Sequence, residues 1–262
     1  MRRPHPRPVL AVFERRWRQQ RSRPPRCPSR WTVGPPDFVG VGTHKSGTSW
    51  WYRLIRTHPD VVSRGHPKEL RYLSRPSDEF TTADAAAYAS WFPRPDGKLA
   101  GEWTPEYADD LSSIRNLAAA APNAKLLLLV RDPIDRYRSD LTMLGQHRGA
   151  DAKAARRGRY ATQVADLCTF FPRTALLLLQ YERCIASLDA ELARTYRFLQ
   201  LDDEFTPRFP TQRRNVTRRP KVPLPNDRVR ELTSFFEPEV LGLAEMMPEL
   251  DLALWPSMRH LA

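Results

Sequence analysis

The stretch VGVGTHKSGTSW, from Val39 to Trp50, decides the fold class, because it reads as a buried strand, a glycine-containing loop and a helix in succession. The apolar run up to Gly42 has the length of a strand, and the segment from Thr48 to His58 repeats its apolar residues at helical spacing. A loop in this position presents unpaired backbone N–H groups and the positive end of a helix dipole. The stretch therefore predicts an anion site, with a phosphate group as its natural ligand.

The loop differs from the common triphosphate-binding loop in the position of its lysine. Gly42 and Gly47 match the spacing of the pattern G-x-x-x-x-G-K-[ST], but Thr48 stands where that pattern has lysine. The lysine of this chain, Lys45, lies in the middle of the loop instead. A nucleotide kinase is therefore the weaker alternative, because it would lack its principal cation. An ordinary tight turn is the structural alternative.

The other apolar runs predict an α/β fold, a single domain with a central, mainly parallel sheet flanked by helices and a P-loop-like strand-loop-helix nucleotide site. KLLLLV, from Lys125 to Val130, is continuous, as expected of a parallel strand at the sheet's centre that is covered on both faces. Asp132-Pro133 predicts the start of a helix that reaches about Gly145. The later elements are a helix over 160–171, a strand over 174–180, and helices over 184–199 and 228–247.

The formal charge of +12 on 262 residues is concentrated at the start of the chain. Residues 1–30 hold ten arginines and one acid, Glu14, a balance of +9 that leaves +3 for the rest. Residues 1–35 are also rich in proline and are predicted to form a disordered arm before a domain over 36–262. A solvated tail is the preferred interpretation, and an anion- or membrane-binding arm is the alternative. No specific nucleic-acid binding is expected of the domain.

Cysteine usage and hydropathy predict the compartment. Cys27, Cys168 and Cys184 form no C-x-x-C pair and have no histidine at metal-ligand spacing, which predicts reduced thiols in a cytoplasmic protein without structural zinc. The apolar runs are all too short for a membrane span, so we expect a soluble protein. The oligomeric state stays open, a homodimer included.

Two linked motifs resemble the sulfotransferases that use 3′-phosphoadenosine 5′-phosphosulfate (PAPS). KSGTSW, from Lys45 to Trp50, is similar to that family's 5′-phosphosulfate loop, K-[SG]-G-T-[ST]. RDPIDRYRS, from Arg131 to Ser139, resembles its 3′-phosphate motif. HPKELRYL (66–73) and GEWTPEY (101–107) are similar to segments of the heparan-sulfate and bacterial branches. The resemblance covers roughly residues 37–255.

The resemblance implies transfer of a sulfuryl group from PAPS to a hydroxyl, with 3′-phosphoadenosine 5′-phosphate (PAP) as product and no metal required. It assigns Lys45 to the charge that grows on the leaving phosphate. Arg131 and Ser139 are expected at the 3′-phosphate, and an ion pair with Asp132 or Asp135 is the alternative for Arg131. The residues expected to hold the 5′-phosphate are Ser46, Gly47, Thr48 and Ser49.

Two further nucleotide contacts follow from the resemblance. Trp50 aligns with a position that stacks on adenine in cytosolic relatives, and core packing is the equal alternative. The polar, basic segment 211–225 reads as a long loop, and loops of that length tend to be functional. Asn215 and Arg218 in this loop are expected to close over the nucleotide.

The general base is expected to be a carboxylate or a histidine. Resemblance to the heparan-sulfate branch makes Glu69 the base, with Lys68 beside it, and a solvent-exposed glutamate is the alternative. His66 competes for the same role, because cytosolic relatives use histidine. Glu102 is a second carboxylate candidate, either near the acceptor or orienting a cation.

The acceptor prediction comes from a departure from the family pattern. Trp103 stands where the carbohydrate-modifying branch usually has lysine, so a cation that could bind an anionic sugar is missing. Trp91, Phe92 and Tyr107 add an apolar neighbourhood. A hydroxylated small molecule, such as a secondary metabolite, lipid or glycoside, is therefore expected, and O-sulfation of a glycan is the alternative.

Overall fold

The computed structural model describes residues 23–62, 68–145, 149–207 and 220–262. Their strands are β1 (Thr32–Val33), β2 (Phe38–Gly42), β3 (Pro93–Arg94), β4 (Gly101–Trp103), β5 (Lys125–Val130) and β6 (Leu176–Gln180). Their helices are α1 (Thr48–Ile55), α2 (Thr82–Ala89), α3 (Leu111–Ala120), α4 (Pro133–Leu144), α5 (Ala150–Arg156), α6 (Tyr160–Phe170), α7 (Tyr181–Ala186), α8 (Leu188–Leu199) and α9 (Asn226–Met246).

A parallel sheet with the strand order β4-β2-β5-β6 forms the centre of the fold. The predicted α/β fold is therefore confirmed. The connection from β2 leads to β4 on one side, whereas the connection from β5 leads to β6 on the other side. The carboxyl ends of β2 and β5 thus meet where the strand order reverses. Open α/β sheets bind their ligands at such a point.

The strand β5 is apolar throughout because helices cover both faces of the sheet. Leu126 and Leu128 pack with side chains of α3, α6 and α9 on one face. Leu127 and Leu129 pack with side chains of α1 and α8 on the other face. All four leucines are completely buried. The prediction of a central strand covered on both sides is confirmed.

The observed helices differ from the predicted ones mainly after β6. The sequence predicts a single helix over 184–199, but α7 already begins at Tyr181, directly after the strand, and ends at Ala186. Ser187 then leaves the helical conformation, with φ −136° and ψ 57°, and α8 begins at Leu188. The apolar spacing did not reveal this interruption, because both helices keep an inward apolar face.

Ordered structure begins before the predicted domain boundary at residue 36. Thr32 and Val33 form β1, which pairs with β3 in a small antiparallel sheet. The first 22 residues, which carry most of the predicted arm, lie outside the described residues. None of the helices in the described ranges is both long enough and apolar enough to cross a membrane.

Trp103 and Gly40 fix the spacing between β2 and β4. A Cβ atom on Gly40 would lie 2.0 Å from the Trp103 ring, so only glycine lets the indole lie against β2. The indole Nε1 donates a hydrogen bond to the carbonyl of Gly42 at 3.1 Å. Trp103 therefore has a structural role at the base of the loop that follows β2.

Candidate functional site

The loop between β2 and α1 is fixed by hydrogen bonds from its own hydroxyl groups. Thr43 Oγ1 donates to the carbonyl of Leu129 at 3.0 Å and lies 2.6 Å from Ser46 Oγ. The Ser46 side chain is completely buried, so its hydroxyl belongs to this internal bonding. Within the described part of the chain, the backbone N–H groups from Ser46 to Ser49 donate no hydrogen bond. These groups are available to an anion at the start of α1.

Gly47 holds the left-handed conformation that leads the loop into α1, with φ at 91°. A Cβ atom there would lie 2.8 Å from the Tyr181 ring. We expect Gly47→Ala to lower the free energy of unfolding by about 1–3 kcal/mol and to weaken PAP binding, because the positive φ and the displaced ring both disturb the loop. Thermal unfolding and calorimetric titration with PAP measure the two effects.

Gly97 offers a matched control for this substitution. Its φ is 76°, and a Cβ atom there would meet nothing within 4 Å. We expect Gly97→Ala to cost stability through the backbone alone and to leave PAP affinity unchanged. Equal losses of PAP affinity in the two variants would contradict a specific role for the Gly47 loop.

The Lys45 ammonium group lies in this loop without an ion pair among the described residues. Lys45 has a left-handed backbone, with φ at 65°. Its Nζ donates to the thioether sulfur of Met143 at 3.6 Å. Burial lowers the pKa of Lys45, and the negative charge of Asp140 opposes that shift. A partly buried cation with only a thioether contact can bind an incoming anion without first breaking a salt bridge.

Arg131 lies at the end of β5 and connects the two predicted anion sites. Its Nη1 donates to the carbonyl of Lys45 at 3.3 Å, and its guanidinium lies 4.9 Å from the centre of the Tyr181 ring. Its Nη2 pairs with Asp135 at 2.9 Å, so the ion pair predicted as the alternative is present. The buried Nε of Arg131 has no hydrogen-bond partner. A donor group therefore remains unsatisfied at this position.

The backbone around Arg131 is held by side chains from later elements. The Tyr160 hydroxyl donates to the carbonyl of Arg131 at 2.8 Å. Glu182, in the first turn of α7, accepts from the N–H of Asp132 at 3.0 Å and from the indole of Trp255 at 2.9 Å. No role for Glu182 was predicted from the sequence. Its carboxylate fixes the end of β5 relative to β6.

Two residues predicted to contact the nucleotide occupy buried positions. Ser139 on α4 is 9% exposed, and its hydroxyl makes no hydrogen bond with the described residues. Trp50 is 3% exposed and packs edge-on against Trp51 and Tyr181, with ring centroids 5.3 and 6.4 Å away. This burial favours core packing, the alternative given for Trp50, and the stacking on adenine stays a prediction.

The segment 68–71 is bound to β4 and the residue after it through consecutive amides. Glu69 and Arg71 both have left-handed backbones, with φ at 65° and 52°. Such conformations cost about 1–3 kcal/mol each and persist where the surroundings fix them, as they often do at functional sites. The bonds are Glu69 N to Trp103 O at 3.1 Å, Leu70 N to Glu102 Oε2 at 3.1 Å and Arg71 N to Thr104 Oγ1 at 3.3 Å.

The Glu69 carboxylate lies between cations rather than in open solvent. Lys68 Nζ donates to Oε1 at 2.5 Å, and Arg71 Nη2 donates to Oε2 at 3.4 Å. The side chain is 20% exposed, so the alternative of a solvent-exposed glutamate does not hold. Burial lowers the pKa of Lys45, and the negative charge of Glu69 is one of the weaker influences that oppose this shift. The Glu69 carboxylate therefore lies within electrostatic range of the loop lysine.

Glu102 is a structural carboxylate and not a second base. It is completely buried, and burial raises its pKa while its hydrogen bonds oppose the shift. Its donors are Thr104 Oγ1 at 2.5 Å, Tyr107 OH at 2.8 Å, Tyr88 OH at 2.9 Å and Leu70 N at 3.1 Å. With four donors and no exposure, Glu102 cannot reach an acceptor, and it instead fixes the residue next to Glu69.

The aromatic side chains that were expected around the acceptor lie in the core. Trp91 is 9% exposed, whereas Phe92, Trp103 and Tyr107 are completely buried. The argument that these rings make an apolar acceptor site is therefore wrong, because the rings pack inward. The other half of the argument stands, since position 103 provides a buried indole and no cation.

Sequence reasoning assigned no role to His44 and Glu106, yet both lie at this site. His44 Nε2 is 3.5 Å from Glu106 Oε1 and 4.0 Å from Asp109 Oδ2. Arg71 Nη2 pairs with the same Glu106 oxygen at 2.5 Å. Burial, reinforced by cations including Arg157, holds the pKa of His44 well below its usual range, so the ring is neutral. Three segments distant in sequence meet here, and no motif spacing could have revealed the cluster.

Three predicted site residues, His66, Asn215 and Arg218, lie outside the described residues, and their roles stay predictions. In the described ranges, no group of three or more histidine, cysteine, aspartate or glutamate side chains is arranged to hold a metal ion. The other predicted residues surround the ends of β2 and β5. The site thus combines free loop amides, a lysine, an arginine and a carboxylate near one another.

Comparison with known proteins gives a consistent family. The family model described as "Sulfotransferase domain" matches residues 35–209. The human heparan sulfate glucosamine 3-O-sulfotransferase 6 is 29% identical over 185 residues, covering 63% of this chain and 52% of that protein. Its mouse counterpart is 29% identical over 220 residues, covering 75% of this chain and 62% of that protein. The chain thus spans about half to three fifths of the length of these relatives.

Solved structures agree on the fold. A sulfotransferase from Alicyclobacillus acidocaldarius superposes with a TM-score of 0.66 at 24% identity, covering 85% of this chain and 99% of that one. The sulfotransferase domain of the Synechococcus olefin synthase superposes with a TM-score of 0.56 at 16% identity, covering 82% and 98% of the two chains. At these identities the likeness concerns the fold alone.

Proposed function

The chain belongs to the sulfotransferase domain family, and from this premise we propose that it transfers a sulfuryl group from PAPS to a hydroxyl group of an acceptor. One observation carries the proposal. The amides of Ser46 to Ser49, which make no hydrogen bond within the described ranges, and the loop residue Lys45 lie beside the Arg131 guanidinium at the ends of two adjacent strands. PAPS carries phosphate groups at both its 5′ and 3′ positions, and this arrangement supplies a cation for each.

The proposed reaction is an in-line transfer. A bond forms between the acceptor oxygen and sulfur while the bond between sulfur and the bridging phosphate oxygen breaks. Negative charge grows on the leaving 5′-phosphate, where Lys45 and the loop amides stabilise it. Glu69 takes the proton of the acceptor hydroxyl, and PAP is the second product. The reaction as proposed uses no metal ion.

The 3′-phosphate is assigned to Arg131 and Ser139. Among the described residues, neither the Nε of Arg131 nor the hydroxyl of Ser139 has a hydrogen-bond partner, which supports this assignment because both donors would gain one. To bind phosphate through both edges, the guanidinium would have to share or release its contact with Asp135. Asn215 and Arg218 remain proposed contacts to the nucleotide.

We expect PAP to bind without metal and more tightly than ATP with magnesium. Arg131→Ala should weaken PAP binding about 10- to 100-fold, because a charge-assisted contact to the 3′-phosphate is lost. Isothermal calorimetry with wild-type protein and variant measures the difference. Arg173→Ala is the matched control. Arg173 precedes β6, at the end of the sheet away from the loop, and it forms a salt bridge with Glu249.

Preferential binding of ATP with magnesium, unaffected by Arg131→Ala, would favour a nucleotide kinase and contradict the proposal. The kinase is the less supported candidate, because Thr48 stands where the kinase loop needs lysine. Resistance of product formation to a metal chelator separates the two reactions as well.

The acceptor we propose is a small hydroxylated molecule, such as a secondary metabolite, lipid or glycoside. The buried indole of Trp103, where the carbohydrate-modifying branch usually has lysine, supports this choice. O-sulfation of a glycan is the second candidate, and the names of the similar human and mouse proteins favour it. We also propose a cytoplasmic location and a homodimeric assembly.

A further inference from the structure

Glu106 lies between the donor loop and the proposed base. Arg71 Nη2 is 2.5 Å from Glu106 Oε1 and 3.4 Å from Glu69 Oε2, so one guanidinium nitrogen bridges the two carboxylates. His44, next to Lys45 in the loop, places its Nε2 3.5 Å from the same Glu106 oxygen. Glu106 therefore connects the loop that holds Lys45 with the segment that carries the proposed base.

Two polar atoms at this position have no hydrogen-bond partner among the described residues. Glu106 Oε2 and His44 Nε2 are both buried, and neither makes a hydrogen bond within that part of the chain. A buried carboxylate oxygen without a donor is costly, and so is an unpaired ring nitrogen. A hydroxyl group satisfies both kinds of atom, since it donates to a carboxylate oxygen and accepts from or donates to an imidazole nitrogen.

Four charged side chains of the described residues contact one another around the proposed base, two of each sign. Lys68 and Arg71 are cations, Glu69 and Glu106 are anions, and all four are linked by contacts between 2.5 and 3.4 Å. Burial raises the pKa of Glu106, while Arg71 opposes this shift. His44 adds no charge, because burial and nearby cations lower its pKa. An anionic acceptor group would therefore find Arg71 already paired and would face the Glu106 carboxylate.

We infer that Glu106 sets the acceptor class of the proposed reaction by selecting an uncharged molecule with a second hydroxyl near the reactive one. Glu106 Oε2 accepts a hydrogen bond from that second hydroxyl, and its negative charge disfavours carboxylate or sulfate groups at the same place. The inference rests on the proposed sulfuryl transfer and names the substrate class of the same site. It assigns Glu106 to specificity and leaves proton removal to Glu69.

Two sugars that differ at one carbon test the inference. Methyl β-D-glucopyranoside and methyl β-D-glucuronide share a ring, but the second carries a carboxylate in place of a hydroxymethyl group. Their binding to PAP-saturated protein is measured by ligand-observed NMR titration, which requires no turnover. Wild-type protein is expected to bind the glucoside at least about 10-fold more tightly than the glucuronide.

Variants of the cluster should change this preference in opposite directions. Glu106→Gln keeps the shape of the side chain and removes its charge, so the preference should fall to about threefold or less. Arg71→Ala leaves the Glu106 charge uncompensated, so the preference should increase. Glu249→Gln, a charge loss at a remote salt bridge with Arg173, should leave the ratio at the wild-type value.

The second hydroxyl is tested with monodeoxy analogues of the glucoside. We expect one deoxy analogue to bind wild-type protein about 10-fold more weakly than the parent glucoside does. In Glu106→Ala, the same analogue and the parent glucoside should bind with equal affinity. Unchanged PAP affinity in the variants shows that their nucleotide site is intact.

Tighter binding of the glucuronide by wild-type protein, an unchanged ratio in Glu106→Gln, or no binding of either sugar would overturn the inference. Failure of wild-type protein to bind PAP is a different result and would overturn the proposed function instead.

Discussion

Replacing Lys45 by methionine is expected to lower kcat for sulfuryl transfer about 100- to 1,000-fold, while the protein stays folded and still binds PAP. The lysine is proposed to neutralise charge that appears on the phosphate only as the bond to sulfur breaks. A contact that strengthens in the transition state lowers kcat when it is removed, and a single preorganised donor in a partly buried site has an effect of this size. Methionine keeps the length of the side chain and can pack against Met143, the present contact of Nζ.

The assay follows PAP release from PAPS at saturating donor concentration, so that kcat is separated from binding. Lys98→Met is the control, because Lys98 pairs with Asp60 at the opposite end of β4 from the loop. If the variant lost PAPS affinity but kept the wild-type kcat, Lys45 would stabilise bound PAPS and the transition state equally. That result would contradict a role for Lys45 in the chemical step.

Local signals explain why the fold could be predicted. Successive leucines of β5 face opposite sides of the sheet, and helices cover both sides. Every position of the strand is therefore apolar, and the continuous apolar run predicts such a strand directly. The start of α4 was equally clear, because the Asp132 side chain accepts from the N–H groups of Ile134 and Asp135 and proline follows at the first helical position. Both signals lie within a few consecutive residues.

The parts of the site that were missed depend on tertiary packing. Tertiary packing decides whether the side chain of Trp50 or Trp103 faces a ligand or the core. The residue type alone does not predict that packing. Glu102 could be read as a base until its four donors were known, and all four belong to residues outside its strand. The contact of Glu106 with His44 and Arg71 joins three separate segments. Loop chemistry was therefore predictable, and the surroundings of the acceptor were not.

Replacing Glu69 by glutamine is expected to lower kcat about 100- to 10,000-fold, which is the range for removing a general base. Glutamine has the same shape and can still accept a hydrogen bond from Lys68, so the segment 68–71 should keep its conformation. Its backbone bond to Trp103 does not involve the side chain. PAP affinity and the melting temperature should therefore match the wild-type values, and only the transfer rate should fall.

A base and a structural carboxylate give different results when the side chain is removed altogether. In Glu69→Ala the vacated space admits a small carboxylate, so added formate should restore part of the lost rate if Glu69 accepts the proton. Glu102→Ala provides the contrast, because the buried carboxylate acts by holding Leu70 in place and an exogenous anion cannot rebuild four hydrogen bonds at once. Rescue of neither variant, together with a normal rate in Glu69→Gln, would exclude Glu69 as the base and make His66 the candidate to test. Rescue of Glu69→Ala alone would assign proton removal to Glu69, whose carboxylate pairs with Lys68 and Arg71, and would leave Glu102 its structural role.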